Sequence, residues 1–252
     1  MKICAILRLV PDLVEELEVE ETEVIPFRYM PNERDEHAVE EALILKEKLG
    51  DAEVEVIGIA DPDNEADLDE GLGMAAAKGA DKLYKVILDR PTFRRAELAK
   101  ALAEFLKDKG YDLILTGIQA IDAFAGNLGG MLACYLDLPY IGGVVEANVE
   151  DGKVDVKKEL GGGLLAEYRL PTPAVIGVVS AERPLKFVPF TKLRQAMKKA
   201  EIEEVELELP EVEGIEVVRY EVPPEPEITL LEGDAEEIAD RLIEVLKEIS
   251  VL

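Results

Sequence analysis

The sequence has no tryptophan, a single histidine, two cysteines and only 28 basic residues against 55 acidic ones. Each scarcity excludes a class of function. With His37 alone, and with Cys4 and Cys134 far apart, no zinc or iron–sulfur ligand spacing exists, and no disulfide framework can be drawn. Cys4 falls in an apolar strand pattern and Cys134 in an apolar helical one, so both read as core thiols. His37 follows Glu36 on a charged helical stretch and reads as a residue facing solvent or a partner rather than a catalytic base. No serine or cysteine stands in a nucleophile-elbow context. The net charge of −27 repels phosphate backbones and anionic lipid headgroups, so neither nucleic acid nor an anionic membrane is an expected partner. Long hydrophobic runs are also missing. No stretch approaches the roughly 18 apolar residues of a membrane span, and the apolar run at residues 3–7 is too short for a signal peptide. The expectation is a cytoplasmic protein without membrane insertion, whose many carboxylates form a solvated surface.

What is present is a substantial apolar fraction, 48% of 252 residues, enough for one large domain or a domain with an appendage. Short apolar runs alternate with helical patterns over the first 120 residues, which predicts a parallel sheet covered by helices. Strands are expected at 2–10, 54–60, 82–88 and 112–116. Helices are expected at 33–49, capped by Asn32 with Asp35 and stopped by Gly50, then up to Lys78-Gly79, at 95–109, and after the 117–122 loop as far as Leu136. Beyond Pro139 the texture becomes alternating, with turns at Asp151-Gly152 and Gly161-Gly162-Gly163. Antiparallel strands at 144–149, 153–159 and 164–169 are expected, added to the sheet edge or layered beside it, then a buried strand at 173–179. Residues 201–227 are Glu- and Pro-rich, extended, and too poor in apolar residues to bury themselves. An amphipathic helix at 234–248 ends the chain, with Asp234 and Glu237 as its cap. The organisation expected is a core at 1–182, a loop and helix at 183–200, and an arm at 201–252 that must dock on the core or on a partner.

In a doubly wound sheet, ligands bind at the carboxyl ends of the strands. The segments that meet there are residues 8–12, the helix entry at Asn32, and the 117–130 stretch with Gly126, Gly129 and Gly130, where backbone amides suit a phosphate. Away from it, residues 183–199 carry six basic residues and no acidic one, interleaved with Phe187, Pro189 and Phe190. In so acidic a chain this pattern suits a contact segment whose aromatics anchor a partner and whose charges steer it. The alternative is a helix that neutralises the protein's own acidic surface.

Five segments recur together in one known family. Gly117-Ile118-Gln119-Ala120-Ile121-Asp122 resembles its G-x-Q-A-I-D motif, and Leu136-Asp137-Leu138-Pro139 follows at its spacing. Asn32-Glu33-Arg34-Asp35-Glu36-His37-Ala38-Val39-Glu40-Glu41-Ala42-Leu43, Gly79-Ala80-Asp81 and Lys158-Glu159-Leu160-Gly161-Gly162-Gly163 are similar to three further landmarks. The chain therefore resembles the electron transfer flavoprotein beta subunit family, over essentially everything up to Lys199.

The resemblance implies an adenine nucleotide alpha hydrolase-like fold: a doubly wound, mostly parallel sheet with added antiparallel strands and a C-terminal arm ending in a helix. It implies an electron carrier rather than an enzyme, paired as a heterodimer with an FAD-bearing alpha subunit. Dehydrogenase donors and an oxidoreductase acceptor would be its redox partners. FAD would be shared with the alpha subunit, and this chain would bind AMP or, in the bifurcating kind that reacts with NADH, a second FAD. The implied nucleotide contacts are Leu7, Arg8, Leu9, Asn32, Asp122, Ala125, Gly126, Asn127 and Leu128. The implied partner contacts are Lys186, Phe187, Phe190, Lys192 and Arg194, with Phe190 as the apolar anchor of a recognition loop. Two positions depart from the pattern. Ala123-Phe124-Ala125-Gly126-Asn127-Leu128 replaces residues that usually supply hydroxyl and amide donors, and Leu13 stands where some members place an aromatic residue. A stand-alone ATP-binding, stress-type domain is the reading from a different class, and it leaves the basic segment without a purpose.

Overall fold

A computed structural model describes residues 1–15, 17–214, 216–225 and 228–252. The central strand is β1 (Lys2–Pro11), and its alternating side chains build two cores. Ile3, Ala5 and Leu7 point to one face, where they meet α1 (Glu33–Leu49) and α2 (Glu65–Lys78). Cys4 and Ile6 point to the other, toward α3 (Arg95–Leu106) and α4 (Leu128–Leu136). Burial on both faces is why the strands read as unbroken apolar runs.

Parallel to β1 lie β5 (Glu53–Ala60) and then β6 (Lys82–Leu88) on one side. On the other side come β7 (Leu113–Gly117), β11 (Ala174–Val178) and β8 (Tyr140–Glu150). Antiparallel β9 (Lys153–Gly161) and β10 (Leu164–Pro171) extend that edge. The expected doubly wound sheet with antiparallel additions is therefore what the chain forms. Helix α1 matches its expected bounds, with Gly50 in the left-handed conformation at its end, donating to Lys46.

Several expectations need correction. Residues 201–227 were expected to find too little apolar surface for burial, yet β12 (Ile202–Leu207) joins the sheet beside β6, in parallel, and Leu209 is buried. Backbone pairing and alternate apolar residues suffice for an edge strand. Three short strands escaped the sequence reading: β2 (Leu17–Val19) and β3 (Val24–Pro26) pair with each other, and β4 (Tyr29–Pro31) pairs with the end of β1. Cys134 is exposed rather than a core thiol, because the inward face of the short α4 is taken by Leu128, Gly129, Leu132 and Ala133. Helix α3 ends at Leu106, and residues up to 109 form a turn in which Lys109 donates to Leu106. Asn32 holds the N-cap position of α1 without a side-chain capping bond.

Residues 183–189 lead into α5 (Phe190–Lys199); Val188, just before the helix, and Leu193 within it pack on α2. Gly73 on α2 makes this seat possible, since a Cβ there would collide with Met197. The chain ends in α6 (Ala235–Glu248), whose capping box joins Asp234 and Glu237 as expected, and none of whose residues is buried. Among the described residues no helix is long and apolar enough to cross a membrane.

Candidate functional site at the strand ends

The winding of the chain reverses at β1. After it the strands proceed through β5 and β6 to one side, then through β7, β11 and β8 to the other. The crevice where ligands bind in such sheets is thus at the carboxyl ends of β1 and β7. Asp35, in the first turn of α1, fills that crevice. It accepts from the Arg8 backbone N–H at 3.0 Å, from Arg8 Nε at 2.7 Å, from Arg8 Nη2 at 2.8 Å and from the Gly117 N–H at 2.9 Å. One carboxylate therefore ties together β1, α1 and β7. Gly117 is required there, because an added Cβ would strike Asp35 and the Arg34 backbone. Both members of the ion pair are buried. Burial opposes the charge on Arg8, but the Asp35 carboxylate outweighs it and holds the guanidinium above its ordinary pKa.

Asn32, fully buried, clamps the loop after β7. Its Nδ2 donates to the Gln119 carbonyl at 3.0 Å, and its Oδ1 accepts from the Ile121 N–H at 3.2 Å. The loop then closes on itself, with Ala120 N–H donating to the Ala125 carbonyl. Asp122 accepts from the N–H of Ala123 and faces Arg95 at 4.0 Å.

Beside the crevice, a cleft of about 60 Å³ opens between the ends of β1, β5 and β6 and the starts of α2 and α3. Its polar lining is Arg8, Asp61, Asn64, Thr92 and Arg95. Burial and the nearby Arg8 charge draw Arg95 below the usual guanidinium range, against the pull of Asp122. Burial pushes the Asp61 carboxyl up.

The residues implied as nucleotide contacts are distributed unevenly. Arg8 and Leu9 line the cleft. Leu7 and Leu128 pack in the two cores. Asn32 is engaged by the loop. Asp122, Gly126 and Asn127 are exposed on the rim, and Ala125 is half-buried there. Sequence reasoning missed Arg95, Asp61, Asn64 and Thr92. The available signal was the pair Arg94-Arg95, two cations at a helix start at strand-end level in a very acidic chain.

A second polar constellation holds the segment that leads into α5. His37 Nδ1 accepts from the Ala181 N–H at 3.1 Å, so the ring is turned inward, not toward solvent. Burial keeps its pKa low, which favours the neutral acceptor form. Glu41 accepts from Ala147 N–H at 2.8 Å and from Glu182 N–H at 2.9 Å. Glu40, fully buried, accepts from Arg183 Nε at 2.8 Å and lies 3.3 Å from Lys78 Nζ. These carboxylates were expected on a solvated surface; the 179–186 segment covers them.

Arg183 is consumed by this anchoring. The other five cations, at 186, 192, 194, 198 and 199, form no ion pair among the described residues. Phe187 is 85% exposed and Phe190 73%.

Fold and site together define a class: a doubly wound α/β protein with its polar groups gathered at the strand ends and a separate basic, aromatic element held out on α2. The family model described as "Electron transfer flavoprotein domain" matches residues 28–210. Three similar proteins each carry the name electron transfer flavoprotein subunit beta. That of Methylophilus methylotrophus is 29% identical over 87% of this chain and 86% of its own length. That of Homo sapiens is 33% identical over 85% and 82%, and that of Bacillus subtilis 26% over 86% and 85%. The chain belongs to the electron transfer flavoprotein beta subunit family.

Proposed function

We propose that this chain is a cytoplasmic electron carrier subunit, not an enzyme with its own substrate. It pairs with an FAD-bearing alpha subunit and passes electrons between dehydrogenases and an acceptor oxidoreductase. The observation that carries this reading, beyond the family itself, is the seat of α5. Two nearly bare phenylalanines and five unpaired cations are held on an acidic molecule by a buried carboxylate network. Such an arrangement suits a docking surface, with aromatics for anchorage and charge for steering. Lys186, Phe187, Phe190, Lys192 and Arg194 are the residues assigned to it, and residues 183–200 act as the recognition element.

The flavin, when bound with the alpha subunit, supplies the electron-carrying chemistry. This chain's contribution is an apolar wall and the exclusion of water. Leu13, Val14, Phe27 and Phe124 stand exposed on loops at the carboxyl ends of β1 and β7 and beside β4, which suits that role. A second nucleotide is a different matter. Sites that enclose cofactors span roughly 300–1,000 Å³, and the cleft at Arg8 offers about 60 Å³. That cleft alone is therefore too small to enclose AMP or a second FAD, and no function is routed through either.

The test is the cofactor content of the chain co-purified with its alpha partner, read by denaturation and chromatography. One FAD per heterodimer is expected. Two FAD would assign the chain to the bifurcating kind, and absence of both flavin and heterodimer would overturn the reading.

A further inference from the structure

Residues 180–188 make no backbone–backbone hydrogen bond among the described residues. Side chains of one helix, α1, hold them instead. Ala181 N–H donates to His37 Nδ1 at 3.1 Å, and Glu182 N–H donates to Glu41 at 2.9 Å. The Arg183 guanidinium donates to Glu40 at 2.8 Å and also to Glu47. Lys186 N–H reaches Glu40 at 3.4 Å, and Lys48 pairs with the Glu182 carboxylate. Just upstream, Arg34 donates to the Val179 carbonyl at 2.8 Å. As far as Lys186, the approach to α5 is thus a strap fastened to a single helix by side-chain bonds.

One of these fastenings changes its hydrogen-bonding sense near neutral pH. His37 is the only histidine in the chain, and histidine is the side chain whose ordinary pKa lies between pH 5 and 8. With its proton on Nε2, the neutral ring presents Nδ1 to Ala181 as an acceptor. The imidazolium would set one N–H against another, and the bond would be lost. Water is poorly placed to replace it, since the His37 side chain is 15% exposed and Ala181 is buried.

The charges facing the ring are Glu33, Arg34 and Glu40 of α1 and Lys78 of α2. Burial is the largest influence and opposes charge on the ring; Arg34 and Lys78 add to it, whereas Glu33 and Glu40 pull the other way. On the strap itself, Glu182 and Arg183 turn to Lys48, Glu40 and Glu47. The closed strap therefore holds the pKa of His37 below its ordinary value. Its fastening is fully present above about pH 6.5 and is lost as pH falls through the lowered pKa. Glu41, whose carboxyl burial pushes up, responds to acid in the same direction.

We propose that the strap at 180–186 is a pH-responsive latch, in which protonation of His37 releases Ala181 and loosens the approach to α5. Its consequence for docking, weaker partner binding in acid, rests on the role proposed above for α5; the latch itself does not.

Hydrogen exchange of the full chain tests the latch, read by mass spectrometry on peptides covering 180–186 and corrected for intrinsic rates. From about pH 7.5 to about pH 5.5 the opening of this segment should rise severalfold. An open-state histidine pKa of about 6.5 sets a ceiling of about tenfold. His37→Asn, whose amide oxygen stands near the place of Nδ1 and does not titrate, should flatten the rise. With a single histidine, the ring resonances in an NMR titration assign themselves, so the unsubstituted chain also gives a test if the variant fails to fold. A ring pKa below the ordinary value is expected. Opening that ignores pH, an equal rise in His37→Asn, or a ring titrating at or above the ordinary value would overturn the latch. Stopped-flow transfer from a dehydrogenase should show an apparent affinity that falls in acid for the unsubstituted heterodimer and not for the variant. A latch that opens with no change in affinity would stand, and would count instead against α5 as the docking element.

Discussion

Asp35 shows how far one side chain's role can differ from its local context. From its neighbours it is an acidic residue in a helix's first turn, suited to the dipole there. In the folded chain it holds Arg8 in two bonds and the backbone of two strands, all out of water. Removing one partner of a buried pair leaves an uncompensated charge, so Asp35→Ala should cost ~3–5 kcal/mol in chemical denaturation. The double substitution Arg8→Met with Asp35→Leu should recover much of that loss, because no buried charge then lacks a partner. A single-variant loss below about 1 kcal/mol would show that the pair is not the tie between β1 and β7 described above. The same distinction between local and folded context applies to Glu40, Glu41 and His37. Their partners at 147 and 181–183 are distant in sequence, and no local pattern announces that a later segment will cover them.

At the scale of elements, α5 is bound by its apolar side and free on its charged one. Val188 and Leu193 face α2, whereas Phe190 begins the helix exposed to solvent. Phe190→Ala should therefore leave stability within about 0.5 kcal/mol, as for surface changes generally. It should also slow electron transfer from a dehydrogenase partner, measured by stopped-flow flavin absorbance. Unchanged transfer would remove Phe190 from the docking surface. Helix α1 was legible down to its last residue, since apolar periodicity, acidic start, basic end and a left-handed glycine all agree. Strand β12 was not. Its glutamates face solvent at an edge, and only the backbone of β6, more than a hundred residues earlier, completes its pairing.

At the scale of the whole molecule, the chain divides in energetic terms after β12. Up to Leu209 the residues feed the sheet and its two cores. Beyond, α6 is amphipathic and well capped, yet none of its residues is buried. Leu242, Ile243 and Ile249 remain exposed, the apolar residues that the proposed pairing with an alpha subunit would cover. A chain ending at Pro210 should keep its thermal midpoint within a few degrees, as expected when little buried surface is lost. It should also fail to co-purify with the alpha subunit. Retained association would place the heterodimer contact elsewhere, and a large drop in the midpoint would mean that the arm stabilises the core.

The sequence by itself determined the winding of the sheet and the bounds of α1, and it pointed to the strand ends as the place of a candidate site. Those depend on periodicity, turn residues and caps, all of which act over a few positions. It also singled out the basic segment, because six cations in seventeen residues stand out against a charge of −27. Only the tertiary structure decided which charges are buried, that Asp35 and Asn32 close the crevice, and that Arg8 meets Arg95 beside it. The reason is physical: desolvation and ion pairing depend on what stands within a few ångströms in space. At this site the groups that meet come from positions 8, 32, 35, 95 and 117, which no local pattern connects.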